Sequence, residues 1–448
     1  MLTPKEASAR AEALVERARR AGADAADAIY VADASTDVQV RLGTLEDVGR
    51  SEGEEMGLRF FVGHRVASVS SSDLSDGALD ALVERAAAMA REASEDIYAG
   101  LAPADRLFRG PQPDLDSDDG SDPLPTALKR VALEAEDAAR AVTGVTNSEG
   151  GSASAGRSVV ALATSAGFSG AYSNSGYSVS AGVIVGVGET MQRDYAYHST
   201  RHRADLESAA DIGRRAGERA VARLGPRGVK SGVMPIIFDP RVASSFLGHL
   251  VGAITGGAIT RRTSFLLDKL GAQLFARGVT IGDDPLRRRG LRSKPFDGEG
   301  LATNARDIVK DGVLTGWLLD SSAARQLGFS PTGHATRGVA GPPGVSTTNL
   351  FMHGGNDTPA ALMADIGEGL YVTELIGQGV NPVTGDYSRG ASGFHIVDGA
   401  LGAPAAEVTI AGNLIDMFAS LRPASDLEYR YGTDAPTVRI DGMTAASA

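Results

Sequence analysis

ADAIYVADASTDVQVRLGTLEDVGRSEGEEMGLRFFVGHRVASVS, residues 26–70, breaks into five runs with strand character: Ala26–Val31, Asp37–Leu42, Leu45–Ser51, Gly57–Val62 and Arg65–Ser70. Only short turns bearing Gly, Asp or Ser separate them. Connections that short cannot hold a crossover helix, so the runs are expected to form an antiparallel meander. Upstream, Thr3, Pro4 and Glu6 spell a capping box with proline at the first helical position. Ala7, Ala11, Leu14, Val15 and Ala18 then give one apolar stripe that Gly22 terminates. Downstream, a second helix over about Asp76–Ala93 is expected to close the sheet on one face. Residues 1–110 therefore read as an N-terminal domain, an antiparallel sheet with flanking helices.

Further along, residues 101–123 are rich in Pro, Asp, Gly and Ser and read as a linker. Asp114, Asp116 and Asp118 begin like a calcium loop, but Asp119 stands where that loop needs glycine and Pro125 where it needs glutamate. An acidic linker is the reading kept. A middle region, 111–228, contains a helical pattern from Pro125 to Val142, a Gly/Ser/Ala/Val block expected to form several packed strands, and a helix over Ala204–Leu224. The remainder, 229–448, opens on a strand at Val233–Phe238 and is glycine-punctuated and mostly β. The fold class that follows is α+β: an N-terminal antiparallel sheet with flanking helices, linked to a large, mostly β C-terminal domain.

Composition narrows the chemistry. The 448 residues carry a net charge of -12, which disfavours direct binding to nucleic-acid phosphates. The basic run Arg287–Arg289 is expected to be solvated or paired with neighbours such as Asp283 and Asp284. There is no cysteine, which removes disulfides, thiolate zinc sites and Cys nucleophiles. The charged N-terminus has no apolar signal core, so a cytoplasmic location is expected. Val242–Thr260 carries no charge but holds four glycines and His249, and it reads as a buried helix rather than a membrane span.

Local motifs for catalysis are sparse. Of seven histidines only His198 and His202 have helix-face spacing, and they read as solvent-exposed polar residues; HExxH, GxSxG and Walker A patterns are missing. Gly186 and Gly188 give a GxG without the βαβ context of a dinucleotide site. Gly248, Gly252 and Gly256 recur every four residues on one helix face. Glycine is costly inside a helix, so the stripe is expected to admit a second backbone at close range.

Seven segments carry a resemblance: FLGHLVGAI at 246–254, TSFLLD at 263–268, KPFDGEG at 294–300, DIVKDGVL at 307–314, VTELIGQGV at 372–380, TGDYSRGA at 384–391 and AGNLIDMF at 411–418. In this order they resemble the TldD/PmbA family, specifically its TldE (PmbA) branch, the "modulator of DNA gyrase" family. The resemblance implies a cytosolic zinc peptidase built as a TldD/TldE heterodimer, with zinc held by TldD on an HExxxH helix and by a C-terminal cysteine. Here the matching helix places His249 near the first ligand, Leu250 in place of the catalytic glutamate and Ile254 in place of the second histidine. No metal ligand, catalytic residue or cofactor is therefore assigned to this chain, and zinc is expected in a TldD-like partner.

The leading functional expectation is a non-catalytic subunit that completes a cavity for unfolded peptides. The residues assigned to the partner or cavity surface are His249, Gly248, Gly252, Gly256, Glu374, Gly377, Gly379, Gly385, Tyr387 and Arg389, although turn chemistry explains the glycines nearly as well. Two alternatives stand beside it. One is a peptidase active in its own right through His334, His353, His395 and Asp386. The other is a regulatory binding module linked to DNA gyrase or a toxin–antitoxin system. Neither direct nucleic-acid binding nor membrane insertion is expected, and homodimerisation in the absence of a partner stays open.

Overall fold

A computed structural model describes residues 1–447. Helix α1 (Pro4–Arg20) is capped as its sequence specifies: the Thr3 hydroxyl accepts from the Glu6 backbone and the Glu6 carboxylate accepts from Thr3 N–H. The five expected runs merge into three strands, β1 (Ala25–Arg41), β2 (Thr44–Val62) and β3 (Arg65–Ser71). The reason is that the polar segments between the runs stay in the ladder: Asp33 pairs with Gly53 and Thr36 with Arg50. Main-chain hydrogen bonds do not depend on side-chain polarity, so a charged ribbon continues as strand. Helix α2 (Asp76–Glu92) follows.

The next elements are α3 (Pro125–Arg140), β4 (Val145–Thr164), β5 (Ser169–Val185), β6 (Gln192–Thr200) and α4 (Ala209–Ala222). The expected block of several strands is thus two long ones. All six strands form one sheet in the order β3-β2-β1-β4-β5-β6. Strand β1 pairs with β4 from Asp27↔Thr164 to Val40↔Gly151, so a single sheet crosses the boundary expected near residue 110. Alternation on β1 assigns its two faces. Ala26, Ala28, Tyr30 and Ala32 join the core under α1 and α2, whereas Ile29 packs with Phe296 and Leu301 of the C-terminal region. Close backbone approach occurs between α3 and α4: a Cβ on Gly213 would lie 2.0 Å from Ala135 O.

The linker contains one 3-10 turn, Ala104–Arg106, and is pinned by ion pairs. Arg289 Nε lies 2.7 Å from Asp116 and Arg157 2.8 Å from Asp118. Arg288 also reaches Asp116, at 3.2 Å, while Arg287 stacks over Tyr429 at 3.8 Å. Arg288 and Arg289 therefore pair with linker acids, and Arg289 with Asp205 as well, rather than with Asp283 and Asp284. Sequence neighbours were the wrong partners because the fold brings residues 114–118 alongside.

The C-terminal region begins with β7 (Gly232–Phe238), α5 (Pro240–Ile254) and α6 (Gly256–Thr260). Short elements follow: β8 (Ile281–Asp283), β9 (Arg306–Lys310), β10 (Val313–Leu314), α7 (Ser321–Leu327), β11 (Ala335–Thr336), β12 (Gly344–Val345) and β13 (Leu350–Met352). After α8 (Pro359–Met363) come the long strands β14 (Glu368–Ile376), β15 (Asp386–Val397) and β16 (Ala400–Asn413). The chain finishes with α9 (Leu414–Ser420), β17 (Arg422–Pro423), β18 (Thr433–Asp434) and β19 (Val438–Ser447). Strand β19 pairs with both β7 and β16, which closes the ring β16-β15-β14-β7-β19 into a small barrel. No helix among the described residues is long and apolar enough to cross a membrane.

The uncharged stretch is not one helix. Thr255 leaves helical geometry (φ -66, ψ 142) and its hydroxyl caps α6. Two long-range bonds fix the break: Gly256 N–H donates to Leu318 O at 2.7 Å and Leu318 N–H to Ile254 O at 3.0 Å. The glycine stripe is likewise not packed as expected. Gly248 and Gly252 are exposed with nothing within 4 Å of a built Cβ, and only Gly256 meets a close neighbour, Ala323 Cβ at 2.5 Å. The apolar side of α5 already turns Phe246, Leu247, Leu250 and Ile254 into the core, which leaves the glycine side facing out.

Candidate functional site

Helix α5 starts where Asp239 caps it and Pro240 occupies its first position. It packs on the barrel through Phe246, which meets Phe238 edge-on at 4.8 Å. Two contacts link this helix to β15: the His249 ring stands 6.0 Å from Tyr387 at 82°, and the Phe246 ring 6.1 Å from it. Tyr387 and Arg389, two apart on β15, project to the same side. Burial and then the Arg389 charge hold the His249 imidazole below its ordinary pKa. Burial raises the Tyr387 phenol. Three polar atoms here are buried without a hydrogen-bond partner among the described residues: His249 Nε2, Tyr387 OH and Arg389 Nε. Such orphaned groups are uncommon in folded proteins.

Arg389 also lines a cavity of about 380 Å³ with Glu374, Asp194, Arg223 and Arg241. Arg223 Nη2 donates to Glu374 at 2.5 Å and its Nη1 lies 3.6 Å from Asp194. Arg241 pairs with the same Asp194 at 3.0 Å and with Asp239 at 3.1 Å. This network ties β6 and α4 to the barrel and to the start of α5. Of the expected site residues, His249, Tyr387, Arg389 and Glu374 are thus brought to one region. Asp194, Arg223 and Arg241 were not foreseen, since nothing local in the sequence marks residues whose partners are far along the chain.

The glycines divide differently. Gly377 (φ +81) and Gly385 (φ +80) hold left-handed turn positions that favour glycine. Gly379 lies against β15: a built Cβ would sit 1.6 Å from Ser388 O, and Ser388 N–H donates to Gly379 O at 2.7 Å. These three shape the β14–β15 connection, whose Ile376 and Val383 are solvent-exposed.

The other histidines do not assemble. His334 Nε2 is 3.4 Å from Asp283, His353 stacks near Phe351 at 4.9 Å, and His395 Nε2 is 3.4 Å from Arg227 O. Asp386 is occupied by Thr384 and Asn413. His198 and His202 are partly buried rather than exposed: His198 Nδ1 accepts from Glu207 N–H at 3.1 Å and His202 Nε2 donates to Asp116 O at 2.8 Å. Among the described residues no group of three or more His, Asp or Glu could hold a metal ion. The donor set around His249 does not fit zinc: Leu250 and Ile254 are fully buried in the core and the nearby charged group is a guanidinium.

Comparison with known proteins defines the class. Three family models match, described as PmbA/TldA metallopeptidase domain 1 over residues 26–90, the central domain over 118–224 and the C-terminal domain over 231–447. Metalloprotease PmbA from Escherichia coli O157:H7 is 39% identical over 411 residues, covering 91% of this chain and 89% of that one. A proposed modulator of DNA gyrase from Bacteroides thetaiotaomicron superposes with a TM-score of 0.91 at 27% identity, over 100% of both chains. TldE from Thermococcus kodakarensis shares the fold, with a TM-score of 0.87 at 19% identity over 98% of this chain and 100% of that one. A TldD homolog from Haemophilus influenzae is 26% identical over 211 residues, 46% of this chain and 44% of that one. The chain belongs to the PmbA/TldE branch of the PmbA/TldD metallopeptidase family.

Proposed function

We propose that this chain is a non-catalytic TldE-type subunit of a cytoplasmic two-chain zinc peptidase, with the zinc supplied by a TldD-like partner. The observation that carries the reading is the state of α5: where the resemblance calls for a glutamate and a second histidine, Leu250 and Ile254 are buried at 0% exposure. A leucine takes no proton from water and one imidazole holds no catalytic zinc. The open Gly248–Gly252 side of α5 and the exposed Ile376 and Val383 support a docking face for the partner. Extended peptides are the proposed substrates, because strand-lined clefts align peptide backbones by main-chain pairing. In the shared cavity, this chain's contribution is to orient the peptide and exclude water.

The test is reconstitution. Each chain is purified and cleavage of an unstructured peptide is followed for each alone and for the mixture, with and without chelator. Activity confined to the mixture and abolished by the chelator is expected. A TldD-like chain equally active alone would remove this protein as a required subunit. The name metalloprotease borne by the E. coli relative favours a second reading, a peptidase active by itself. Cleavage by this chain alone, with stoichiometric bound metal, would establish that reading instead.

A further inference from the structure

A second cavity, of about 500 Å³, lies between the N-terminal sheet and the α5–α6 junction, lined by Arg59, Glu299, Asp320, Thr255, Gly257 and Ser322 among others. Its size falls within the roughly 300–1,000 Å³ of small-molecule sites. Two of the lining side chains are opposite charges held almost wholly out of solvent, Arg59 at 5% exposure and Glu299 at 3%. Each is anchored by one side and free on the other. Arg59 Nε and Nη2 bond Asp27 Oδ2, and its Nη1 has no partner among the described residues. Glu299 Oε2 accepts from Ser321 N–H at 2.9 Å and from Ser321 Oγ at 2.7 Å, and its Oε1 has no such partner. Asp320 caps Ala323 through Oδ1 only, at 2.8 Å.

Arg59 and Arg337 share the single carboxylate of Asp27, and Arg337 Nε and Nη2 are buried with no partner among the described residues. Glu299 and Asp320, the other acids whose charges act on Arg59, line the same cavity. The free Nη1 of Arg59 is well matched to a carboxylate. On the other wall, Asp320 and, once ionised above its raised pKa, Glu299 through Oε1 offer acceptors to a cationic amine.

We propose that this cavity binds a small zwitterionic amino compound, a free amino acid or short peptide, with its carboxylate on Arg59 and its ammonium on Glu299 and Asp320. The ligand would rest against Thr255 and Gly257 and so brace the junction at the end of α5. The proposal concerns the isolated chain and does not depend on the subunit reading. The test is calorimetric titration of the full chain with dialanine and with free alanine, alongside N-acetylated and C-amidated dialanine. Saturable binding of an uncapped compound is expected, with at least about a tenfold loss, or about 1.4 kcal/mol, on capping either end. Glu299→Gln is expected to weaken binding by a similar factor while staying folded. Ser322→Phe, at a partly exposed position on the wall, is expected to block it. No saturable binding of either uncapped compound, or binding that neither capping nor Ser322→Phe changes, would overturn the proposal.

Discussion

Replacing Glu299 by glutamine isolates one buried charge. Burial, reinforced by the neighbouring Asp297, pushes the Glu299 carboxyl up to about 7 against an ordinary 4.5. Hydrogen bonds from Ser321 and the charge of Arg59 act in the opposite sense and do not cancel the burial. Between pH 4.5 and 7 the folded chain therefore holds a proton that the unfolded chain has released. Stability linked to this group is fully present below the unfolded value and is lost as pH rises through the folded one. At about 1.36 kcal/mol per pH unit the loss amounts to about 3 kcal/mol. A glutamine side chain at this position would stay neutral throughout and keep an oxygen for Ser321. The Glu299→Gln variant should match the parent near pH 4 and exceed its stability by up to about 3 kcal/mol at about pH 8. Urea denaturation of both proteins across that range measures the difference, in which all shared titrations cancel. A difference that is flat with pH, or that falls toward the alkaline end, would show that Glu299 is ionised without penalty and that the cavity wall is wetter than its 3% exposure implies.

Other substitutions test the packing directly. Gly252→Ala should stabilise the isolated chain by roughly 1 kcal/mol in thermal melts, since the exposed helix position has room for a Cβ. Gly252→Leu should also fold, yet weaken co-purification with a TldD-like chain; unchanged capture would remove this face from the interface. Gly213→Ala should destabilise by roughly 1–3 kcal/mol in urea melts, because Ala135 O lies 2.0 Å from the new atom. Asp27→Asn should cost about 3–5 kcal/mol by the same assay, since it strips the counter-charge from Arg59 and Arg337.

What the sequence made legible was local. The capping box of α1 needs only residues 3–6, and the alternation of β1 needs only its own neighbours. The break between α5 and α6 was hidden because its cause lies at Leu318, whose backbone bonds draw Ile254 and Gly256 apart. No proline marks the position, and Thr255 is a weak signal until a partner strand supplies the alternative bonds. The glycine stripe misled for a related reason. Small residues permit a close neighbour but do not specify one, and a close approach of two helix backbones falls instead at Gly213, in the middle region. Of the ion-pair cavity only Glu374 and Arg389 were read, since Arg223 and Glu374 stand 151 residues apart. The family motifs pointed to His249, Tyr387 and Arg389 without showing that they meet.

That meeting bears on why a helix resembling a zinc-bearing one holds no metal set here. With leucine and isoleucine at these positions the helix offers neither the general base nor a second histidine ligand, but a buried imidazole alone would still attract a stray divalent ion weakly. Arg389 acts against this residual affinity. Burial first and the Arg389 charge second lower the His249 pKa, so an added positive charge at the ring is disfavoured. The Arg389 charge acts on a divalent ion with twice the energy. Arg389 stands on β15 two residues from Tyr387, whose ring packs toward His249. The substitution of leucine and isoleucine into the core and the placement of a guanidinium beside the remaining histidine are thus two independent features of one surface. Both disfavour a metal cation at this place, and the guanidinium also favours groups that bring negative charge or hydrogen-bond acceptors.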